Sequence, residues 1–126
     1  MKRPEENPVV VKSFSLAVRV VRLYQHLRRK FDEPVLFRQL LRSGTSVGAN
    51  VEEAIGGQST ADFLSKLRIA RKEGRETGYW VRLLHATEYL DEKEFVSIHD
   101  DNEEVLRLLT SIIVTTEKNN RKTKRE

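Results

Sequence analysis

Residues 42–63 read RSGTSVGANVEEAIGGQSTADF and hold four of the chain's six glycines; Gly74 and Gly78 follow soon after. The fold turns on whether this stretch is a phosphate-cradling loop or glycine-bearing helix. A phosphate loop needs GxxxxGK[ST] after a strand, so that backbone N–H groups and a lysine reach the phosphate. Here Gly44 and Gly48 are separated by three residues, no lysine follows and no strand-like run precedes. A dinucleotide-binding fingerprint fails in the same way. Apolar and small residues instead recur at three-four spacing straight through the stretch: Phe37, Leu40 or Leu41, Gly44, Val47 or Gly48, Val51, Ala54 and Ile55. That phase predicts an unbroken helix, with Thr45 and Ser46 free to bond back to the preceding turn.

Gly44-xxx-Gly48 puts two glycines on one helix face, and Gly74-xxx-Gly78 does so on the next helix. Small residues at i and i+4 let two backbones approach closely. Each interior glycine costs about 1 kcal/mol of helix stability relative to alanine. These four positions are therefore expected to mark close helix contacts, within the fold or between subunits. Tyr79 and Trp80 adjoin them and are read as packing or interface residues, with base stacking as the other use of such rings. Gly56-Gly57 differs: it lies just past the last periodic residue, where a helix terminates.

Working outward, four helices are predicted. The first covers about Ser13–Lys30, with Leu16, Val20, Leu23 and Leu27 in one stripe. A second stripe, Phe14, Ala17 or Val18, Val21 and Tyr24, adjoins it, and together they form one wide core face. The second helix covers Pro34–Ile55, capped by Asp32 or Glu33. The third starts near Thr60 behind Ser59 and runs to about Tyr89; at about 30 residues it is expected to be the longest. The fourth starts after Asp91, with Glu94 reciprocating as in a capping box. Its apolar positions include Phe95, Ile98, Val105, Leu109 and Ile112, with Asn102 in the same phase. The N-terminal 1–11 and the basic tail 118–126 are expected to be flexible. The fold class is all-α, an antiparallel up-and-down four-helix bundle in a single domain, 1–126.

The 126 residues are 38% hydrophobic and 33% charged and contain no cysteine. This composition excludes a disulfide scaffold and a thiolate metal site and points to the cytoplasm. No apolar run approaches the ~20 residues of a membrane span. The formal net charge of +4 conceals a segregation. Residues 12–31 carry six Lys and Arg and no acid, whereas residues 91–117 carry eight acids against Lys93 and Arg107. Separation of this kind favours contact between complementary surfaces, or an anionic partner for the basic ones. His26, His85 and His99 are far apart and form no HxxxH or HExxH pair. Glu52-Glu53 lacks the Glu-x-x-His companions of a bundle di-metal site. No nucleophile elbow appears. No catalytic, cofactor-binding or metal-ligating residue is assigned.

The strongest functional signal is basic. Arg68, Arg71, Lys72 and Arg75 recur at three-four spacing on the third helix, within a run that also holds Lys66 and Arg82. With Arg22, Arg28, Arg29 and the tail they are the candidates for tracking a phosphate backbone.

The stretch FRQLLRSGTSVGANVEEAIGGQSTADFLSKLRIARKEGRETGYWVRLL, residues 37–84, resembles the bacterial four helix bundle protein family. That family includes proteins encoded in intervening sequences of 23S rRNA genes. The stretch is also similar to the accessory variability protein of diversity-generating retroelements. GANVEEA, GGQS and RETxYW carry the resemblance. It implies a ring-like homopentamer and, from the retroelement relatives, a basic surface that binds RNA or DNA and a reverse transcriptase or other nucleoprotein. The sequence departs from the family tendency at Gly74 and Gly78, where alanine or a larger residue is usual. The expected function is a non-enzymatic oligomeric bundle protein associating with nucleic acid. The alternative is a purely structural assembly module whose basic and acidic faces meet between subunits.

Overall fold

The computed structural model describes residues 6–125; residues 1–5 and Glu126, at the ends expected to be flexible, lie outside the described residues. Four helices follow one another: α1 Pro8–Lys30, α2 Pro34–Ile55, α3 Thr60–Ala86 and α4 Glu92–Arg125. Each packs on its neighbour in the chain, and α1 closes the ring against α4, giving an antiparallel up-and-down four-helix bundle.

Local chemistry sets the helix ends. Asn7 caps α1, its side chain accepting from the Val9 N–H at 3.2 Å, and Pro8 fills the first turn. Because Val9 and Val10 are buried, α1 begins earlier than the predicted Ser13. Glu33 caps α2 by accepting from Val35 and Leu36. Ser59 caps α3 through the Asp62 N–H at 3.1 Å. Asp91 and Glu94 form the reciprocal capping box at 2.7 and 2.9 Å. Gly56 ends α2 at φ −84°, so the terminator works without a left-handed turn. At the end of α3 the left-handed position falls instead on Glu88, φ 70°. Tyr89 N–H donates to Leu84 O at 2.9 Å and Glu88 N–H to His85 O at 3.1 Å, a Schellman closure.

α4, with 34 residues, is the longest helix, not α3 with 27. The β-prone run SIIVTT stays helical because Ile113 is buried in the core. Beyond it the helix continues to Arg125, and Arg121 and Lys122 near its end suit the negative end of the helix dipole.

The core holds Leu16, Val20 and Leu27 from α1, Phe37, Leu40, Val47 and Val51 from α2, Leu67, Val81 and Leu84 from α3, and Ile98, Val105 and Leu109 from α4. An aromatic plug closes one end: Tyr89 meets Phe31 at 5.0 Å and Phe37 at 5.3 Å, edge to face. The glycines seat two helix pairs. A Cβ on Gly44 would stand 2.8 Å from both γ-methyls of Val20, and one on Gly48 would stand 3.1 Å from the Ser13 carbonyl oxygen. On α3, a Cβ at Gly74 would lie 2.7 Å from Leu106 Cδ2, and one at Gly78 would lie 3.4 Å from Asn102 Nδ2. The approaches are thus α2 on α1 and α3 on α4, inside one chain. Back-bonding by Thr45 to Leu41 O and by Ser46 to Arg42 O, at 2.7 and 2.6 Å, satisfies both hydroxyls without breaking α2.

The two stripes of α1 do not form one core face. Leu16, Val20 and Leu27 are buried, but Phe14 is 65% exposed and Val21 36%. With four helices in a ring, each helix can turn only part of its circumference inward, and α1 is apolar over more of it than the core can take.

Candidate nucleic-acid interface

The outward face of α3 carries Arg68, Lys72, Arg75, Tyr79 and Arg82, all exposed. Their four-three-four-three spacing keeps them in one row, about 21 Å long at 1.5 Å per residue. No acid stands in that row. Apart from Asp62 in the first turn, the acids of the same helix, Glu73 and Glu76, turn toward α2, where Arg42 pairs with both, reaching Glu73 at 3.2 Å. Lys72 and Arg75 have no acidic partner among the described residues. Arg82 Nε donates to Gly78 O at 3.3 Å, holding that side chain along the row.

Arg71 departs from the expected row: it is partly buried on the α4 side, near Glu117. Arg68 donates to Glu117 at 2.7 Å. That hydrogen bond, opposed by desolvation and aided by the fields of Arg68, Arg121 and Arg71, holds the Glu117 carboxyl below its ordinary pKa. One carboxylate is therefore set among three arginines.

The second predicted set does not join the first. α1 and α3 stand diagonally in the bundle, so outward Arg22, Arg28 and Arg29 face away from the α3 row. Arg28 is also drawn onto Tyr24, with Nη1 3.0 Å from the phenol oxygen. Two further α1 cations are paired by α4, Lys12 with Glu104 at 3.2 Å and Arg19 with Asp101, and His26 Nε2 lies 3.4 Å from a Glu94 carboxylate oxygen. Much of the charge segregation in the sequence is thus an internal seam between α1 and α4. Sequence periodicity shows an acid-free row on α3 but not that α4 occupies the basic face of α1, which depends on chain topology.

Tyr79 and Trp80 part company in the fold. Trp80 packs against the core and its buried Nε1 has no hydrogen-bond partner, whereas Tyr79 is 50% exposed. The rings meet edge to face at 5.1 Å and 77°. The histidines hold no metal cluster among the described residues. His85 stacks on Phe95 at 4.1 Å and pairs with Glu92 at 2.9 Å, and His99 also stacks on Phe95, at 5.1 Å. No helix among the described residues is long and apolar enough to cross a membrane.

The model of the 23S rRNA-intervening sequence protein family matches residues 5–111, most of the chain and all of the α3 row. The chain belongs to this family. A solved structure from the S23 ribosomal protein family, a protein of unknown function from Bacteroides thetaiotaomicron, is similar to it at 50% identity and a TM-score of 0.82. That similarity covers 83% of this chain and 97% of the Bacteroides chain. A comparison with curated proteins yields no match. The family match extends well beyond the 37–84 stretch and stops before the last turns of α4, so the basic end of α4 lies outside it.

Proposed function

We propose that this intervening-sequence family member is a non-enzymatic, oligomeric bundle protein that associates with nucleic acid, or with a ribonucleoprotein or reverse transcriptase complex, through the outward face of α3. The observation that carries this reading is the row Arg68, Lys72, Arg75 and Arg82: four exposed cations on one rigid helix with no acid in the row, of which only Arg68 is paired, with Glu117 of α4. Cations so placed neutralise phosphates and release condensed counterions without reading base sequence. A rigid helix also fixes their spacing, which lowers the entropy lost on binding.

Support for assembly lies on α1. Val11, Phe14 and Val21 are exposed large apolar residues, and Val18 falls in the same three-four phase. Such a seam on a helix surface suits a second copy of the chain, and the resemblance noted above implies a ring of five. The lack of cysteine agrees with a cytoplasmic setting.

Binding of labelled RNA and DNA across a salt series tests the reading. Three to four phosphate contacts should give a log–log salt slope of about −3. No binding at low salt, or binding without a salt slope, would show it wrong. A second reading has support in Asp100 and Glu103, outward acids of α4 without a cation partner among the described residues. In that reading they meet the α3 row of a neighbouring subunit. Lys72→Glu with Arg75→Glu would then lower the mass in solution as well as any nucleic-acid affinity.

A further inference from the structure

We infer that the α3 row takes single-stranded rather than duplex nucleic acid, with the ring of Tyr79 as the stacking surface for an unpaired base. This rests on the nucleic-acid reading above and goes further, to the state of the strand.

Tyr79 is an aromatic residue left 50% exposed in the middle of a cationic row. On the helix, Arg75 stands one turn before it and Arg82 one turn after it, both exposed. Phe14, another exposed aromatic side chain, is a useful contrast. Its surface on α1 is shared with Ala17, Val18 and Val21, with one cation, Arg22, and Gln25 further along, a mostly apolar company that suits a protein–protein contact. Tyr79 has cations for neighbours, the company of a polyanion. Duplex would offer those cations phosphates but keep its base faces stacked inside the helix, leaving the tyrosine ring with nothing to cover it. A single strand offers both: phosphates for the arginines and the lysine, and base faces for the ring.

The ring is also held in place. Trp80, anchored against the core, presses edge to face on Tyr79 at 5.1 Å. A ring supported on one side loses little freedom when a base covers the other. Stacking is tolerant of base identity, because every base has a π-face, which fits a row containing no side-chain amide to read base edges. The other ring clusters, Phe31–Phe37–Tyr89 and His85–Phe95–His99, are spent on closing one end of the bundle and on joining α3 to α4 and do not compete for this role.

Trp80 is the chain's only tryptophan, so its emission reports on Tyr79. The experiment titrates the intact protein with labelled oligothymidylate, with a duplex of the same length, and with heparin as a polyanion lacking bases. The expected result is tight, salt-dependent binding of the single strand with a change in Trp80 emission. Tyr79→Ala should weaken single-strand binding about tenfold or more, with duplex and heparin binding changed less than about twofold. Tyr79→Phe, which keeps the ring, should restore single-strand binding. If Tyr79→Ala leaves single-strand affinity unchanged, the stacking role is wrong while the phosphate-binding reading stands. An equal loss toward all three ligands, or a fall in solution mass, would also overturn it by making Tyr79 a structural residue. If the unmutated protein binds none of the nucleic acids at low salt, the proposed function itself fails.

Discussion

The Gly48 backbone lies against that of Ser13: a Cβ built on Gly48 would stand 3.1 Å from the Ser13 carbonyl oxygen. Backbone cannot step aside as a side-chain tip can. Gly44 is similarly confined by the branched Val20, whose Cβ would be 3.1 Å away. At Gly74 the obstacle is the flexible end of Leu106, and at Gly78 the 3.4 Å approach is ordinary contact. Alanine at 44 or 48 should therefore destabilise the bundle by about 1–2 kcal/mol, overpacking outweighing the gain in helix propensity. Gly78→Ala should stabilise it by up to about 1 kcal/mol, and Gly74→Ala should be close to neutral. Urea unfolding of the four variants checks the order.

Glu88 occupies the left-handed position of the Schellman closure at φ 70°. Glu88→Gly removes a conformational cost and should raise stability by about 0.5–1 kcal/mol after the extra entropy of glycine in the unfolded chain. Thermal melting should show a small upward shift; a decrease would mean that the Glu88 side chain contributes a contact worth more than the strain.

Thr77 Oγ1 lies 3.0 Å from Ser43 Oγ and 2.8 Å from Glu73 O, joining α3 to α2 in the buried interior. Thr77→Val should cost about 1 kcal/mol by removing one hydroxyl from a buried pair. Ser43→Ala combined with Thr77→Val should cost less than the sum of the single changes, because the pair is lost once. A double-mutant cycle in denaturant measures that coupling.

Glu117, hydrogen-bonded to Arg68, has its carboxyl pKa lowered in the folded chain. A lowered folded pKa contributes stability above the unfolded carboxylate pKa, and that contribution is lost as pH falls through the folded value. NMR titration of Glu117 should give a value below that of an ordinary glutamate, and Arg68→Ala should move it upward. Local protection of the α3–α4 seam should fall with acid in the parent and be less sensitive to acid over the same range in Arg68→Ala, where only the fields of Arg71 and Arg121 still act on Glu117.

Phe14→Asp with Val21→Asp places charge in the exposed α1 stripe without touching the core. If a second copy covers that stripe, light scattering should show a drop to monomer mass while circular dichroism keeps its helical signal. Unchanged mass would remove the α1 face from the assembly reading.

Much of the candidate row was readable beforehand, because a helix surface is a local property. Once α3 is a helix, positions 68, 72, 75, 79 and 82 must share a face, whatever surrounds them. What the sequence could not say was which basic faces stay open. Lys12, Arg19 and His26 look as available as Lys72 and Arg75 until α4 is seen across from them. Likewise Phe14 and Leu16 look equally fit for a core.

Sequence alone thus determined the four helices, most of their ends and the continuity of α2 through its glycines, since periodicity, capping residues and small-residue spacing act over a few turns of chain. Tertiary structure decided which stripe of α1 is buried, which glycines meet backbone and which meet a yielding side chain, and which cations are left for a partner. Those depend on the neighbour each face is given when the helices close into a ring, and contacts across such a distance in sequence leave no local trace.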